Sequence, residues 1–225
     1  MKKKAIILGT ILVVIVLILL AIIASNYKTI QAFLTNKDNV VNKFKVGQIE
    51  VTVTEPNYND NQTLKPNEEI TKDPTLSNIG KVPCYIRAQA YVPASKEIKY
   101  VDNSENIITP TEDIELLTYT VNNGWEEVTK EGFYGKYEDK EGNIYIVHTY
   151  KYMQDDKEKI INPSEEISTP VFSKVKAINY LDTDTTINLK LQVSAMAVQI
   201  EEGKTAEEMW TNYKNQNGTG FVGIE

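Results

Sequence analysis

Histidine occurs once in this chain, at position 148, and cysteine once, at position 84. A lone histidine serves as a general base only with partners folded in from elsewhere, since no H-E-x-x-H, G-x-S-x-G or phosphate-loop spacing surrounds it. His148 falls inside the alternation Ile144, Ile146, His148, Tyr150, Tyr152, so it reads as a packed or surface strand histidine. One thiol rules out an intramolecular disulfide and a cysteine-based zinc site. Cys84 heads a strand pattern and reads as a small buried residue, with a reactive or intermolecular thiol as the alternative. The adjacent acids Glu68-Glu69, Glu126-Glu127, Asp155-Asp156, Glu165-Glu166, Glu201-Glu202 and Glu207-Glu208 read as solvated charge, because neighbours on a strand point to opposite faces. Asp182 and Asp184 could offer oxygens to Ca²⁺ from a tight loop, although the EF-hand spacing is missing. The aromatics Trp125, Phe133, Tyr134 and Tyr137 could stack on sugars, but a strand-rich domain also needs such residues for its core. Arg87 is the only arginine among 31 acids, on a strand of small or aromatic residues. It is expected to be structural, forking onto a carboxylate of a neighbouring strand in a way lysine cannot copy. No catalytic residue, cofactor or firm metal ligand emerges from these residues.

The elements that must position them begin after an apolar leader. Ala5 to Ala24 carries no charge and follows Lys2, Lys3 and Lys4. Twenty helical residues reach about 30 Å, the thickness of a bilayer's hydrocarbon core, and the lysines favour a cytoplasmic N-terminus. Residues 5–24 are therefore expected to engage the membrane. Ile30-Gln31-Ala32 offers a small residue for a signal peptidase to cut after, leaving Phe33 first; an uncleaved anchor is the alternative. Taking Lys2, Lys3, Lys4 and Lys28 from the 24 basic residues leaves 20 against 31 acids, a balance of −11 for residues 33–225. Nucleic acid is a poor partner for that surface. The expected location is secreted, extracellular or at the cell surface, membrane-anchored if the leader stays.

Strand signals recur along the remainder: Val46–Glu55, Glu69–Asn78 with Pro74 marking an edge or bend, Pro83–Pro93 as a central strand, Ile114–Val121, Trp125–Val128, Asn143–Tyr152, Pro170–Ala177 and Thr186–Ile200. The last places Ile187, Leu189, Leu191, Val193, Ala195 and Ala197 on one face. Outside the leader the convincing helix is Ala206–Tyr213, opened by the capping-box spacing Thr205 to Glu208. The expected fold is all-β: a two-sheet antiparallel sandwich of jelly-roll type with one short C-terminal helix, preceded by an N-terminal apolar signal or transmembrane helix. The expected divisions are 1–32 signal peptide or anchor, 33–46 an N-terminal mature segment, 47–214 the sandwich and 215–225 a flexible tail.

Several segments carry a resemblance. Ala32-Phe33-Leu34-Thr35-Asn36-Lys37-Asp38 precedes Asn42-Lys43-Phe44-Lys45-Val46-Gly47. Leu64-Lys65-Pro66-Asn67-Glu68 leads to Thr71-Lys72-Asp73-Pro74, and Asn78-Ile79-Gly80 to Tyr85-Ile86-Arg87. Ile161-Asn162-Pro163-Ser164-Glu165 precedes Pro170-Val171-Phe172, and Val193 to Gln199 precedes Ala206-Glu207-Glu208-Met209-Trp210. In this order the segments resemble the TasA/camelysin family, exported proteins processed by a SipW-type signal peptidase. Gln31 and Pro83-Cys84 depart from its usual pattern. The resemblance implies a jelly roll and a non-enzymatic structural role in a biofilm matrix or surface layer, with self-association into fibres. Camelysin-type members imply a metal-dependent surface protease instead; the single histidine argues against it. A surface adhesin binding carbohydrate or protein is the third reading. Phe33 to Val46, with apolar residues between polar ones, could donate a strand to the next subunit or pair within its own.

Overall fold

The computed structural model describes residues 49–58, 64–181 and 189–224. The apolar leader, the Ala32-Phe33 junction, the segment 33–46, and Asp182, Asp184 and Ile187 lie outside the described residues. In chain order the strands are β1 Val51–Thr54, β2 Glu69–Thr71, β3 Thr75–Asn78, β4 Cys84–Ser95, β5 Tyr100–Val101, β6 Ile107–Ile108, β7 Ile114–Glu115 and β8 Leu117–Val121. They continue as β9 Trp125–Glu127, β10 Gly135–Glu138, β11 Ile144–Gln154, β12 Lys157–Glu158, β13 Ile160–Ile161, β14 Glu166–Ile167, β15 Phe172–Ala177 and β16 Gln192–Gln199. One helix, α1 Ala206–Asn217, follows them. The described pairings are all antiparallel.

β4 is the centre of an eight-stranded sheet. It pairs along one edge with β11 and along the other with β16, while β13 and β7 take its two ends. β11 is flanked in turn by β10 and β9, then reverses into β12. Asp155 and Asp156 make that reversal with φ of 51° and 60°, both left-handed, as a two-residue hairpin of matching twist requires. β1-β3-β14 and β2-β15-β8 form two three-stranded sheets, and β5-β6 a two-stranded one. Alternation along β4 sends Cys84, Ile86, Ala88, Ala90 and Val92 into the main core, where they meet Leu76 and Ile167 from one small sheet and Leu117, Phe172 and Val175 from the other.

Two expected strands are each divided. Glu69–Asn78 breaks at Lys72-Asp73-Pro74, since proline offers no N–H to a ladder; β2 joins β15 and β3 joins β1 and β14. Ile114–Val121 breaks at Leu116, whose N–H donates to Pro93 O at 2.8 Å and whose carbonyl accepts from Ile178 N at 3.0 Å. One residue thus ties β4 to the chain leaving β15, with β7 in the large sheet and β8 in the small one.

The second face of β4 departs further from expectation. A half-solvated sheet would leave Arg87, Gln89 and Tyr91 wet, yet all three are fully buried. Their cover is the C-terminal chain. Met209 and Trp210 of α1 pack with Met196 and Val198 of β16, Val128 and Phe133. Beyond the helix, Phe221 and Ile224 pack on Tyr91, Tyr145 and Val147. The stretch expected as a flexible tail therefore extends the helix to Asn217 and then returns to the sheet. β16 is apolar on both faces for the same reason, with Val193, Ala195 and Ala197 toward the main core and Met196 and Val198 toward α1.

α1 starts where the capping box predicts: Thr205 N–H donates to Glu208 Oε2 at 2.8 Å and Glu208 N–H to Thr205 Oγ1 at 3.3 Å. Gly218, at φ 72°, ends it in the left-handed region that an L side chain resists. Thr205→Ala should lower the unfolding free energy by about 1 kcal/mol in a urea titration.

Candidate functional site

Arg87 sits beneath the C-terminal cover, with none of its side chain exposed. A guanidinium held away from water is tolerable only when carboxylates and other donors' partners surround it. Nε donates to Glu158 Oε1 at 3.0 Å and Nη2 to Glu158 Oε2 at 2.7 Å, the bidentate fork. The carboxylate stands on β12, which the Asp155-Asp156 turn folds back along β11, rather than on a strand pairing directly with β4. Trp210 Nε1 donates to the same Glu158 Oε1 at 2.8 Å, and Arg87 Nη2 also reaches Glu207 Oε1 at 3.4 Å. The guanidinium carbon lies 4.5 Å from the Trp210 ring centre and 5.4 Å from that of Phe133. Among the described residues Nη1 has no hydrogen-bond partner. Strand, hairpin and helix thus converge on one charge.

A second cluster surrounds His148, on the inner side of β11 at the margin of the main core. Its Nδ1 is 2.6 Å from Glu127 Oε1 on β9 and its Nε2 2.9 Å from Glu115 Oε1 on β7. A neutral imidazole carries one N–H, so two carboxylate acceptors require the imidazolium. Burial opposes that charge, but the hydrogen bonds and charges of Glu115 and Glu127 outweigh it and raise His148 above its ordinary 6.5. Tyr150 lies parallel to the imidazole at 6.2 Å, while Tyr119 and Tyr134 meet it edge-on at 6.4 and 5.2 Å. Tyr119 Oη and Tyr150 Oη are 2.9 Å apart, and burial pushes both phenols up. The cluster joins β7, β9 and β11 of the large sheet to β8 of a small one, and it can hold or release one proton.

Cys84 is buried at the start of β4, and burial pushes its thiol up to about 12, so it stays a thiol. The aromatic run divides among four places. Trp125 enters the main core and Phe133 the core under α1, whereas Tyr137 packs edge-on against Tyr91 at 5.3 Å and Tyr134 stays exposed beside His148. Among the described residues no group of three or more His, Cys, Asp or Glu side chains is placed to hold a metal ion. The partners Glu115, Glu127, Glu158 and Glu207 escape a reading of the sequence, since each arrives from a different strand or helix. One signal was available: Glu127 lies two residues from the core tryptophan Trp125 and so shares its inward face. No family model, curated protein or solved structure matches the chain.

Two substitutions separate the charge of Arg87 from its shape. Arg87→Lys keeps the charge and loses the fork, so Tm should fall; Glu158→Gln strands the guanidinium and should cost about 3–5 kcal/mol in denaturant unfolding. His148 gives a pH dependence of opposite sense to that of a carboxylate. Its pKa is raised in the folded state, so its stabilisation is complete below 6.5 and fades as pH climbs through the raised value. Tm should decline as pH rises from about 6.5 through that raised value, and His148→Asn should flatten the decline. A decline of the same size in His148→Asn would assign it to other groups.

Proposed function

We infer that this chain is an exported, non-enzymatic structural protein of a cell surface or extracellular matrix, assembling with copies of itself. The observation that carries the reading is that segments resembling the TasA/camelysin family, scattered along the sequence, meet in pairs in the fold. Asn78 N–H donates to Glu165 O at 2.9 Å, Ser164 N–H to Asn78 O at 2.8 Å, and Asn78 Nδ2 to Ile161 O at 3.0 Å. Val171 N–H donates to Pro74 O at 2.9 Å. Met196 and Val198 of one segment pack on Met209 and Trp210 of the next, over Arg87 of a third. Residues that matter because they touch would be expected to form such pairs, which supports a likeness of fold, jelly roll included, over a chance likeness of short words.

The lysine-headed apolar run supports export, and a charge of −11 after Ala32 suits a protein kept soluble outside the cell. A metalloprotease reading gains nothing from His148, whose two nitrogens are both taken by carboxylates. Assembly follows from strand donation by Phe33–Val46. A suitable acceptor is β8, Leu-Thr-Tyr-Thr-Val without charge or proline, which among the described residues pairs with β15 along one edge alone. Beside it, Leu64, Ile70, Leu117, Val175, Leu189 and Leu191, together with Tyr58, Lys72 and Lys190, line a cavity of about 200 Å³ whose apolar side would receive a donated apolar side chain. Head-to-tail donation does not close on itself and so gives filaments.

Extracellular protein analysed by mass spectrometry should begin at Phe33, and purified residues 33–225 should form filaments on concentration or mild acidification. A chain beginning at Asn42 should stay folded and monomeric. If it polymerises as readily, donation through this segment is wrong, and if the product retains residues 5–24, the leader is an anchor.

A further inference from the structure

The chain after α1 is held by a recognition set more specific than packing requires. Gln89, fully buried on β4, uses both ends of its amide on backbone: Nε2 donates to Gly220 O at 2.7 Å, and Oε1 accepts from Val222 N–H at 2.9 Å. That is the pattern a neighbouring strand would present on either side of residue 221, supplied here by one side chain. Tyr91 Oη fixes the amide by donating to Gln89 Oε1 at 3.1 Å and accepts from Gly223 N–H at 3.0 Å. Thr149 Oγ1 holds the other end, 3.0 Å from Gln89 Nε2. Side chains add selectivity. A Cβ at Gly220 would lie 2.2 Å from Gly132 O, so glycine alone passes between the sheet and the 132–133 turn. Phe221 and Ile224 pack on Tyr91, Tyr145 and Val147, while Val222 points to solvent.

We propose that this face of β4 and β11 is a peptide-binding groove for an extended glycine–aromatic–any–glycine–aliphatic segment, and that its occupant from outside is the same segment of a second copy. The resident segment spans only residues 219–224 and is joined to α1 at Gly218, whose left-handed backbone is a natural pivot. The backbone contacts that seat it come from Gln89 and Tyr91, and they would be met equally well by an identical segment arriving from another chain. Reciprocal exchange between two copies recovers in each groove what the single copy loses, so it costs association and little else. The surface lies opposite the main core on β4, and the inference does not depend on export or on strand donation.

The test uses the full chain in detergent and a fluorescein-labelled peptide, Thr-Gly-Phe-Val-Gly-Ile-Glu, corresponding to residues 219–225. Gly220→Ala in the full chain unseats its own segment and leaves the groove; this variant should bind the peptide saturably. The same peptide with alanine at the first glycine should bind about tenfold more weakly or worse, because the clash is now on the ligand. Phe221→Ser, which removes an anchor without crowding the backbone, is the second receptor should Gly220→Ala fold poorly. Equal binding of both peptides, or none to either folded receptor, overturns the groove. For the second copy, sedimentation of concentrated wild-type chain should reveal a dimer that excess peptide dissolves; peptide binding without any such dimer overturns the second copy as occupant.

Discussion

A positive charge with no exposed surface governs this fold. Arg87 lies in the first third of the central strand, and a guanidinium there is stable only if the chain delivers carboxylates and excludes water from the same place. Glu158 arrives by way of a tight hairpin, and Glu207 and Trp210 arrive on the first turns of the helix. The helix is thus more than a cover for apolar side chains. Without it, Glu158 loses the indole donor and Arg87 loses the ring it lies against.

The same requirement explains why β4 is sealed on both faces, unlike most strands of antiparallel sheets. Its inner residues are small, Ala88 and Ala90 among them, which lets the small sheets approach; its outer residues are Arg87, bonded to the β12 hairpin and α1, and Gln89 and Tyr91, bonded to the segment after α1. Polar groups on this face specify which segment lies where, because each buried donor or acceptor tolerates few alternatives. The His148 cluster does the equivalent at the core's margin, where two carboxylates from separate strands need one proton-rich ring between them.

Local regularities made much of this legible. The alternation in Pro83–Pro93 pointed to a central strand, the Thr205–Glu208 spacing marked the start of the helix, and an isolated arginine among acids suggested a forked ion pair. Divisions between sheets were harder to read. Leu116 looks like any strand residue, and only its amide bond to Pro93 of β4 and its carbonyl bond to Ile178, just past β15, make it a corner. Likewise Gly220-Phe221-Val222-Gly223-Ile224 has a loop-like composition, and its order comes from Gln89 and Tyr91, more than 130 residues earlier. Such partners leave no local trace, because the periodicity of a segment reports which face is buried and not what buries it.

The distance along the chain between β4 and its covers also sets an order of events. Residues 84–95 receive one neighbour at 144, the other at 192 and the helix at 206. A chain emerging from the ribosome, N-terminus first, therefore leaves most of one edge of its core strand open until residue 192 and its outer face uncovered until residue 206, so closure waits for β16 and α1. High sequence separation of this kind slows folding and leaves intermediates open. On the export reading, that delay would be useful: a polypeptide that cannot complete its hydrophobic core until β16 and α1 have appeared would remain threadable through a narrow pore, and would lock its shape only on the far side.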